Sequence, residues 1–200
     1  NTQTQNDDRP YLDALRNDKF PLKPSAHIDN LLDELERRNP TPSPGSTNAF
    51  ATIAPGTWRV AYAPHSAKLS AVLGAEFGPI DYHMQSGGAI RSTVGYRVGP
   101  LRGYLSTAGR YGSRDADTCF VEWDDAWWNP GASAPSAAEG GALRPLISFL
   151  GKLGFVSAFA DFPVSYLDES LCIFTFTLTS TRICARKLQA SQGVEADRGA

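Results

Sequence analysis

Large and small side chains alternate with a period of two along the first of several short segments, and this pattern constrains the fold more than any other. In that segment Trp58, Val60 and Tyr62 share one face of an extended strand. Further segments rich in β-forming residues follow at 80–85, 90–98, 104–111, 118–123, 159–167, 171–178 and 181–187. The short turns between them, such as Ser86-Gly87-Gly88 and Leu101–Gly103, predict a mainly β protein folded as an up-and-down antiparallel β-barrel.

An amphipathic helix is predicted ahead of the strands, over residues 25–39. Ser25 is suited to the N-cap, and apolar residues follow at helical spacing, namely Ile28, Leu31, Leu32 and Leu35. The helix is expected to end at Asn39-Pro40, because the residue before a proline avoids helical backbone angles. One further short helix is predicted over 143–155, where leucine and isoleucine recur.

These elements divide the chain into three parts. Residues 1–24 are polar and irregular, and we expect them to form an extended N-terminal arm. Residues 25–188 are expected to form the barrel domain, interrupted by a long mobile loop over 124–142 that is rich in Pro, Gly, Ala and Ser. Residues 189–200 are expected to form a flexible tail.

Composition narrows the classes of function. The formal net charge is -2, and no run of Lys and Arg forms a stripe that would follow a phosphate backbone, so nucleic-acid binding is not expected. The cysteines Cys119, Cys172 and Cys184 and the three histidines lack the spacing of a metal site, so no metal is expected. No run of about twenty apolar residues predicts a transmembrane helix.

Motifs near both ends of the predicted domain carry a resemblance. The first helix and its exit read Leu32-Asp33-Glu34-Leu35-Glu36-Arg37-Arg38-Asn39-Pro40-Thr41-Pro42, and the first strand reads Gly56-Thr57-Trp58-Arg59-Val60-Ala61-Tyr62. The second stretch reads Phe162-Pro163-Val164-Ser165-Tyr166-Leu167-Asp168-Glu169-Ser170-Leu171-Cys172-Ile173, with Arg186 on the last strand. In these motifs the chain resembles, as an atypical member, the plastid lipid-associated protein family, also called fibrillins. The resemblance spans about residues 25–187 and implies a lipocalin-like barrel.

The resemblance also implies a function and a place. It implies a plastid protein of the chloroplast, peripheral to the thylakoid or plastoglobule, that binds a lipid, prenylquinone or carotenoid rather than a catalytic cofactor. An alternative is a non-catalytic accessory subunit that docks on a photosystem or antenna complex through its N-terminal arm and the aromatic loop. A weaker alternative is an isomerase or de-epoxidase that acts on a lipid or carotenoid inside the barrel.

Strand alternation selects the candidate site residues. The side chains expected to line a ligand site inside the barrel are Tyr62, Tyr82, Met84, Tyr96, Phe120, Phe174 and Phe176. They would serve equally well as a filled core. Gly56 and Trp58 on the first strand and Arg186 on the last are expected to close one end of the barrel, with the guanidinium stacked on the indole. The pair Trp127 and Trp128 is expected to contact a membrane or partner surface.

No catalytic constellation is expected from the motifs. His83 lies between two candidate lining residues, and Asp81 or Asp161 could pair with it for acid–base chemistry. The serines lack the GxSxG setting of an activated nucleophile, and Cys119 has no indicated histidine partner. The sequence therefore predicts a binding protein rather than an enzyme.

Overall fold

The computed structural model describes residues 13, 15, 22–66, 70, 74–131, 161–177 and 179–188. Most of the predicted arm (1–24), the predicted helix over 143–155 and the predicted tail over 189–200 lie outside these residues. Two helices and eight strands have defined bounds. They are α1 (Ala26–Arg37), α2 (Thr47–Ile53), β1 (Gly56–Tyr62), β2 (Glu76–Met84), β3 (Ala89–Val98), β4 (Leu101–Ser113), β5 (Thr118–Pro130), β6 (Asp161–Leu167), β7 (Leu171–Phe176) and β8 (Thr181–Leu188).

The eight strands form one closed barrel in chain order, with antiparallel neighbours throughout. Closure comes from β1 and β8, which pair from Thr57 opposite Leu188 to Tyr62 opposite Cys184. Strands that follow one another in the chain are also neighbours in the barrel, so the topology is up-and-down. The prediction of a mainly β, lipocalin-like barrel with an N-terminal helix is confirmed.

Helix α1 packs against the outside of the barrel wall. The Ser25 hydroxyl accepts a hydrogen bond from the backbone N–H of Ile28 at 3.3 Å, which is the N-cap that the sequence predicts. The apolar face of the helix meets outward side chains of the strands in a second core, called here the outer cluster. Its buried members are Leu15, Ile28, Leu31, Leu32, Ala61, Tyr62, Tyr166, Leu171, Ile173 and Cys184.

Helix α2 was not predicted from the sequence, which indicates only a Pro/Ser/Gly linker before this segment. Its seven residues are too few to show an apolar stripe, and Ala49 and Phe50 are its buried side chains. The Ser46 side chain caps the helix by accepting from the Ala49 N–H at 3.4 Å. Tertiary packing of Phe50 against Tyr111, with ring centroids 6.2 Å apart, holds the helix across one end of the barrel.

The prediction of a loop over 124–142 is wrong for residues 124–130, because β5 continues as a strand to Pro130. The register between β4 and β5 shifts at Ala108 and Gly109, which lie opposite Asp125 and Trp123. Asp124 is therefore the extra residue of a β-bulge, and the strand resumes pairing after it. Residues 132–142 of the predicted loop lie outside the described residues.

The structure also corrects one predicted turn and the predicted start of one strand. The turn between β3 and β4 is Gly99-Pro100, with Gly99 at φ 56°, rather than Leu101–Gly103, which already belongs to β4. Strand β2 begins at Glu76, four residues before the alternating segment that predicts it. The central hairpins are therefore longer than the sequence pattern alone indicates.

Candidate functional site: an apolar cavity inside the barrel

The barrel interior contains a partly open cavity of about 150 Å³. Its lining comes from α2, the segment after β1, and seven of the strands, and it is predominantly aliphatic and aromatic. The lining residues are Phe50, Ala54, Trp58, His65, Tyr82, Met84, Ile90, Cys119, Val121, Trp123, Phe162, Val164, Leu167, Cys172, Phe174, Phe176, Ile183 and Ala185.

One end of the cavity is closed by hydrogen bonds to the last turn of α2. Trp58 donates from Nε1 to the carbonyl of Ala54 at 2.8 Å, and Lys187 donates from Nζ to the carbonyl of Ile53 at 2.7 Å. These donors satisfy carbonyls that a helix end would otherwise leave unpaired. The Lys187 Nζ also lies 5.3 Å from the centroid of the Trp58 ring, within cation–π range.

Gly56 belongs to the same closure. Its φ is 137°, a left-handed conformation that favours glycine, and a Cβ on it would lie 2.6 Å from Cε of Lys187. The absence of a side chain at Gly56 therefore leaves space for the Lys187 side chain to reach α2. Gly56 and Trp58 lie where the sequence predicts them.

The predicted stacking of Arg186 on Trp58 is wrong, because the strand register gives that position to the next residue. Trp58 lies opposite Lys187 on β8, so the two side chains share a face. Arg186 is buried but alternates onto the outer face, with Cys184 of the outer cluster. Closure by a cation from the last strand is observed, with lysine in place of the expected arginine.

Four of the seven predicted lining residues, Tyr82, Met84, Phe174 and Phe176, line the cavity. Tyr62 does not. The register between β1 and β8 shifts between Val60 and Tyr62, so Ala61 and Tyr62 both face outward into the outer cluster. A bulge reverses the alternation from which the sequence placed Tyr62 inside.

Tyr96 and Phe120 are also wrong as lining residues. Tyr96 lies near the far end of β3, where its ring packs on Trp128 with centroids 6.2 Å apart. Phe120 sits between Cys119 and Val121, which line the cavity, so alternation turns it outward. There it packs beneath Arg114, whose Cζ is 5.1 Å from its ring centroid.

His65 is a lining residue that sequence reasoning missed. It follows β1 in a segment with no periodic pattern, so only the fold brings it to the cavity. Its ring stacks on Phe176 with centroids 5.0 Å apart, and Nδ1 lies 3.2 Å from Oγ1 of Thr181. Burial lowers the pKa of His65 below its ordinary value of 6.5, so the imidazole is neutral at pH 7.

The remaining titratable groups of the lining are also held neutral. Burial raises the pKa of Tyr82 to about 12 and the pKa of Cys119 to about 12, and it raises the pKa of Cys172 well above its ordinary value. Both thiols are free in the structure. Thiols held protonated by burial are weak nucleophiles. The arrangement suits retention of an uncharged apolar molecule.

The acid–base pair considered for His83 does not form. Strand β2 places His83 opposite Thr57, with Nδ1 3.1 Å from the Thr57 hydroxyl. Asp81 is instead held by Arg59 at 2.8 and 3.0 Å. Asp161 binds Arg114 at 3.0 Å. Neither Asp81 nor Asp161 forms a hydrogen bond with the His83 imidazole in the described structure.

The predicted contact pair Trp127 and Trp128 is split by strand β5. Trp127 is 2% exposed and lies opposite the buried Ser106, so it cannot reach a membrane or partner in this fold. Trp128 points to the other face, is 38% exposed, and donates from Nε1 to Oη of Tyr96. Only the second tryptophan is available to a surface contact, since successive side chains of a strand face opposite sides.

The fold and cavity define a lipocalin-like barrel with an apolar interior. No family model matches the chain, and a comparison with curated proteins also finds no match. Among the described residues, no helix is long and apolar enough to cross a membrane, and no group of three or more His, Cys, Asp or Glu side chains could hold a metal ion.

Proposed function

We propose that this protein binds a hydrophobic small molecule inside the barrel. The observation that carries the proposal is the apolar cavity, which is bordered by Trp58, Tyr82, Met84, Phe174 and Phe176 among others. A closed core of this kind would be more stable if side chains filled it, because buried empty space forgoes dispersion contacts. A space retained at the centre of the barrel is consistent with selection for an occupant.

The volume limits what the occupant can be. An apolar cavity of about 150 Å³ in another protein stays dry and accepts benzene, whereas sites for drug-sized ligands occupy roughly 300–1,000 Å³. The cavity of this barrel therefore suits a single ring or a short chain segment. Among the ligand classes implied by the fibrillin resemblance, a prenylquinone ring or the end of a lipid chain fits better than the body of a carotenoid.

Cavity occupancy can be followed through Met84, because it lines the cavity and the chain contains one methionine. Methyl-¹³C methionine labelling then gives one methyl resonance, which ethylbenzene should shift in a saturable manner. Val164→Phe fills the cavity from β6 and should weaken this binding roughly tenfold or more. Val98→Phe adds the same atoms at an exposed site and should leave binding unchanged.

The outcome that would contradict the proposal is a Met84 resonance that ethylbenzene leaves unmoved in the unmodified protein. Equal binding by Val164→Phe and Val98→Phe would place the probe outside the cavity. Thermal unfolding of both variants shows whether weaker binding reflects a filled cavity or a destabilised fold, because overpacking a core costs about 1–3 kcal/mol.

A second candidate function, peripheral contact with a plastid membrane, is supported by the far end of the β3–β4 hairpin. The exposed large hydrophobic side chains of the described residues all lie there, and we call them the apolar tip: Val98, Leu101, Leu105 and Trp128. Arg97, which is ion-paired with Glu76, and Arg102 flank the Gly99-Pro100 turn beside this tip. Apolar side chains beside arginines suit the interface of a membrane that carries anionic lipids.

Co-sedimentation with vesicles of phosphatidylcholine and phosphatidylglycerol tests this contact. Leu101→Asp removes the most exposed member of the apolar tip, at 67%, and should reduce the bound fraction severalfold. Ala89→Asp places the same charge at an exposed position on the opposite end of β3 and should bind as the unmodified protein does. Binding to a photosynthetic complex but not to vesicles would favour the accessory-subunit alternative.

A further inference from the structure

Tyr82 brings a hydroxyl to the largely apolar lining of the cavity. It lies near the end of β2 and lines the cavity with Met84 from the same strand. No hydrogen bond joins its hydroxyl to any residue of the described part of the chain. Tyr82 is therefore a cavity-lining residue whose hydroxyl has no partner among the described residues.

Among the described residues that line the cavity there is no Asp, Glu, Lys or Arg. Lys187, the nearest cation of the closed end, is already engaged by the carbonyl of Ile53. Burial keeps both His65 and Tyr82 in their neutral forms, the latter with a pKa of about 12. An ionised ligand group would therefore lose its hydration without gaining a counter-charge.

We propose that the cavity selects an uncharged ring compound that carries a hydrogen-bond acceptor, and that the Tyr82 hydroxyl donates to that acceptor. A ketone or quinone carbonyl fits this description, whereas a carboxylate does not. The inference rests on the proposed function, and it adds the chemistry by which the site distinguishes one apolar molecule from another. A hydroxyl that lines an apolar cavity without a partner is unfavourable, so a ligand with a carbonyl that accepts from it should bind more tightly than a hydrocarbon of the same shape.

Three probes of similar size separate the contributions. Ethylbenzene supplies the ring and alkyl group alone, acetophenone adds a carbonyl to the same skeleton, and benzoate replaces it with a charge. Dissociation constants are measured from the Met84 methyl resonance in the unmodified protein and in Tyr82→Phe, which removes only the hydroxyl. Tyr82→Phe should weaken acetophenone about fivefold and leave ethylbenzene unchanged or slightly tighter. Benzoate should bind neither protein measurably at pH 8.

Equal effects of Tyr82→Phe on acetophenone and ethylbenzene would overturn the inference, since the hydroxyl would then act only through packing. Benzoate binding as tight as acetophenone binding would overturn the exclusion of anions. Either result leaves the proposed function intact, because ethylbenzene would still occupy the cavity. Failure of ethylbenzene itself to shift Met84 would instead reject the proposed function and the inference together. Tyr82→Phe should fold normally, because the hydroxyl it removes has no bonding partner in the described structure.

Discussion

Trp58 joins the barrel wall to helix α2 through one buried hydrogen bond, and its side chain also lines the cavity. The indole is 3% exposed, so no solvent is at hand to replace the bond if the donor is removed. At the residue scale, the site therefore depends on three polar atoms whose partners are fixed by the fold. They are Nε1 of Trp58, Nζ of Lys187 and Nδ1 of His65.

Replacement of Trp58 by Phe should lower the free energy of unfolding by about 1–3 kcal/mol, because the Ala54 carbonyl would remain buried without its donor. Urea denaturation measures the loss. Trp128→Phe removes an indole from an exposed position and should change stability by less than about 1 kcal/mol. Equal losses in the two variants would show that the bond to Ala54 contributes nothing specific.

His65 should make stability depend on pH. Its folded pKa lies below the unfolded value of about 6.5, so the unfolded chain binds more protons once the pH falls to that value. Stability is therefore fully present above about pH 7, is lost as the pH falls through 6.5, and levels off below the folded pKa. Urea midpoints at several pH values should fall less steeply for His65→Gln than for the unmodified protein. Parallel curves would count against a buried neutral His65.

Helix α2 acts as a lid fixed across one end of the barrel, and Phe50 is the side chain it inserts. Phe50→Ala should cost about 3 kcal/mol, because it removes a buried ring from between Tyr111 and the cavity. It should also enlarge the cavity enough for naphthalene to shift the Met84 resonance. Thr52→Ala on the exposed face of the same helix should do neither. Loss of stability without uptake of naphthalene would mean that the helix collapses inward.

At the scale of the whole molecule, the strands of the barrel wall contribute side chains both to the core inside the barrel, which includes Trp58, Val164 and Ile183, and to the outer cluster. Cavity-lining Ile183 and Ala185 alternate along β8 with Cys184 of the outer cluster, which packs with Leu32 of α1. Arg182, also on β8, forms ion pairs with Asp33 and Glu36 of helix α1 and so stabilises its position. A substitution that disrupts packing in one core should therefore also destabilise the other.

Leu32 is fully buried in the outer cluster, so Leu32→Ala should cost about 2–5 kcal/mol. Because the cores share strands, far-UV ellipticity and tryptophan fluorescence, which comes from strands β1 and β5, should follow one coincident urea transition in this variant. Leu35→Ala, at the margin of the same cluster, should show a smaller shift of the midpoint. Two separated transitions would indicate that α1 and the barrel unfold independently.

Local patterns in the sequence determined the strands, the Ser25 cap and the position of Trp58, because each depends on residues close together in the chain. Alternation also placed Tyr82, Met84, Phe174 and Phe176 inside, since no bulge intervenes at those positions. It failed at Tyr62 because a bulge depends on pairing with another strand and has no signature in the segment itself.

The tertiary structure alone decided how the barrel is closed and what borders its cavity. The register between β1 and β8, which are far apart in sequence, places Lys187 rather than Arg186 over the Trp58 ring. Packing across the barrel end makes a helix of Thr47–Ile53, whose local propensity is weak. His65 reaches the cavity from a segment without any pattern, because the path of the chain after a strand is set by the packing it meets.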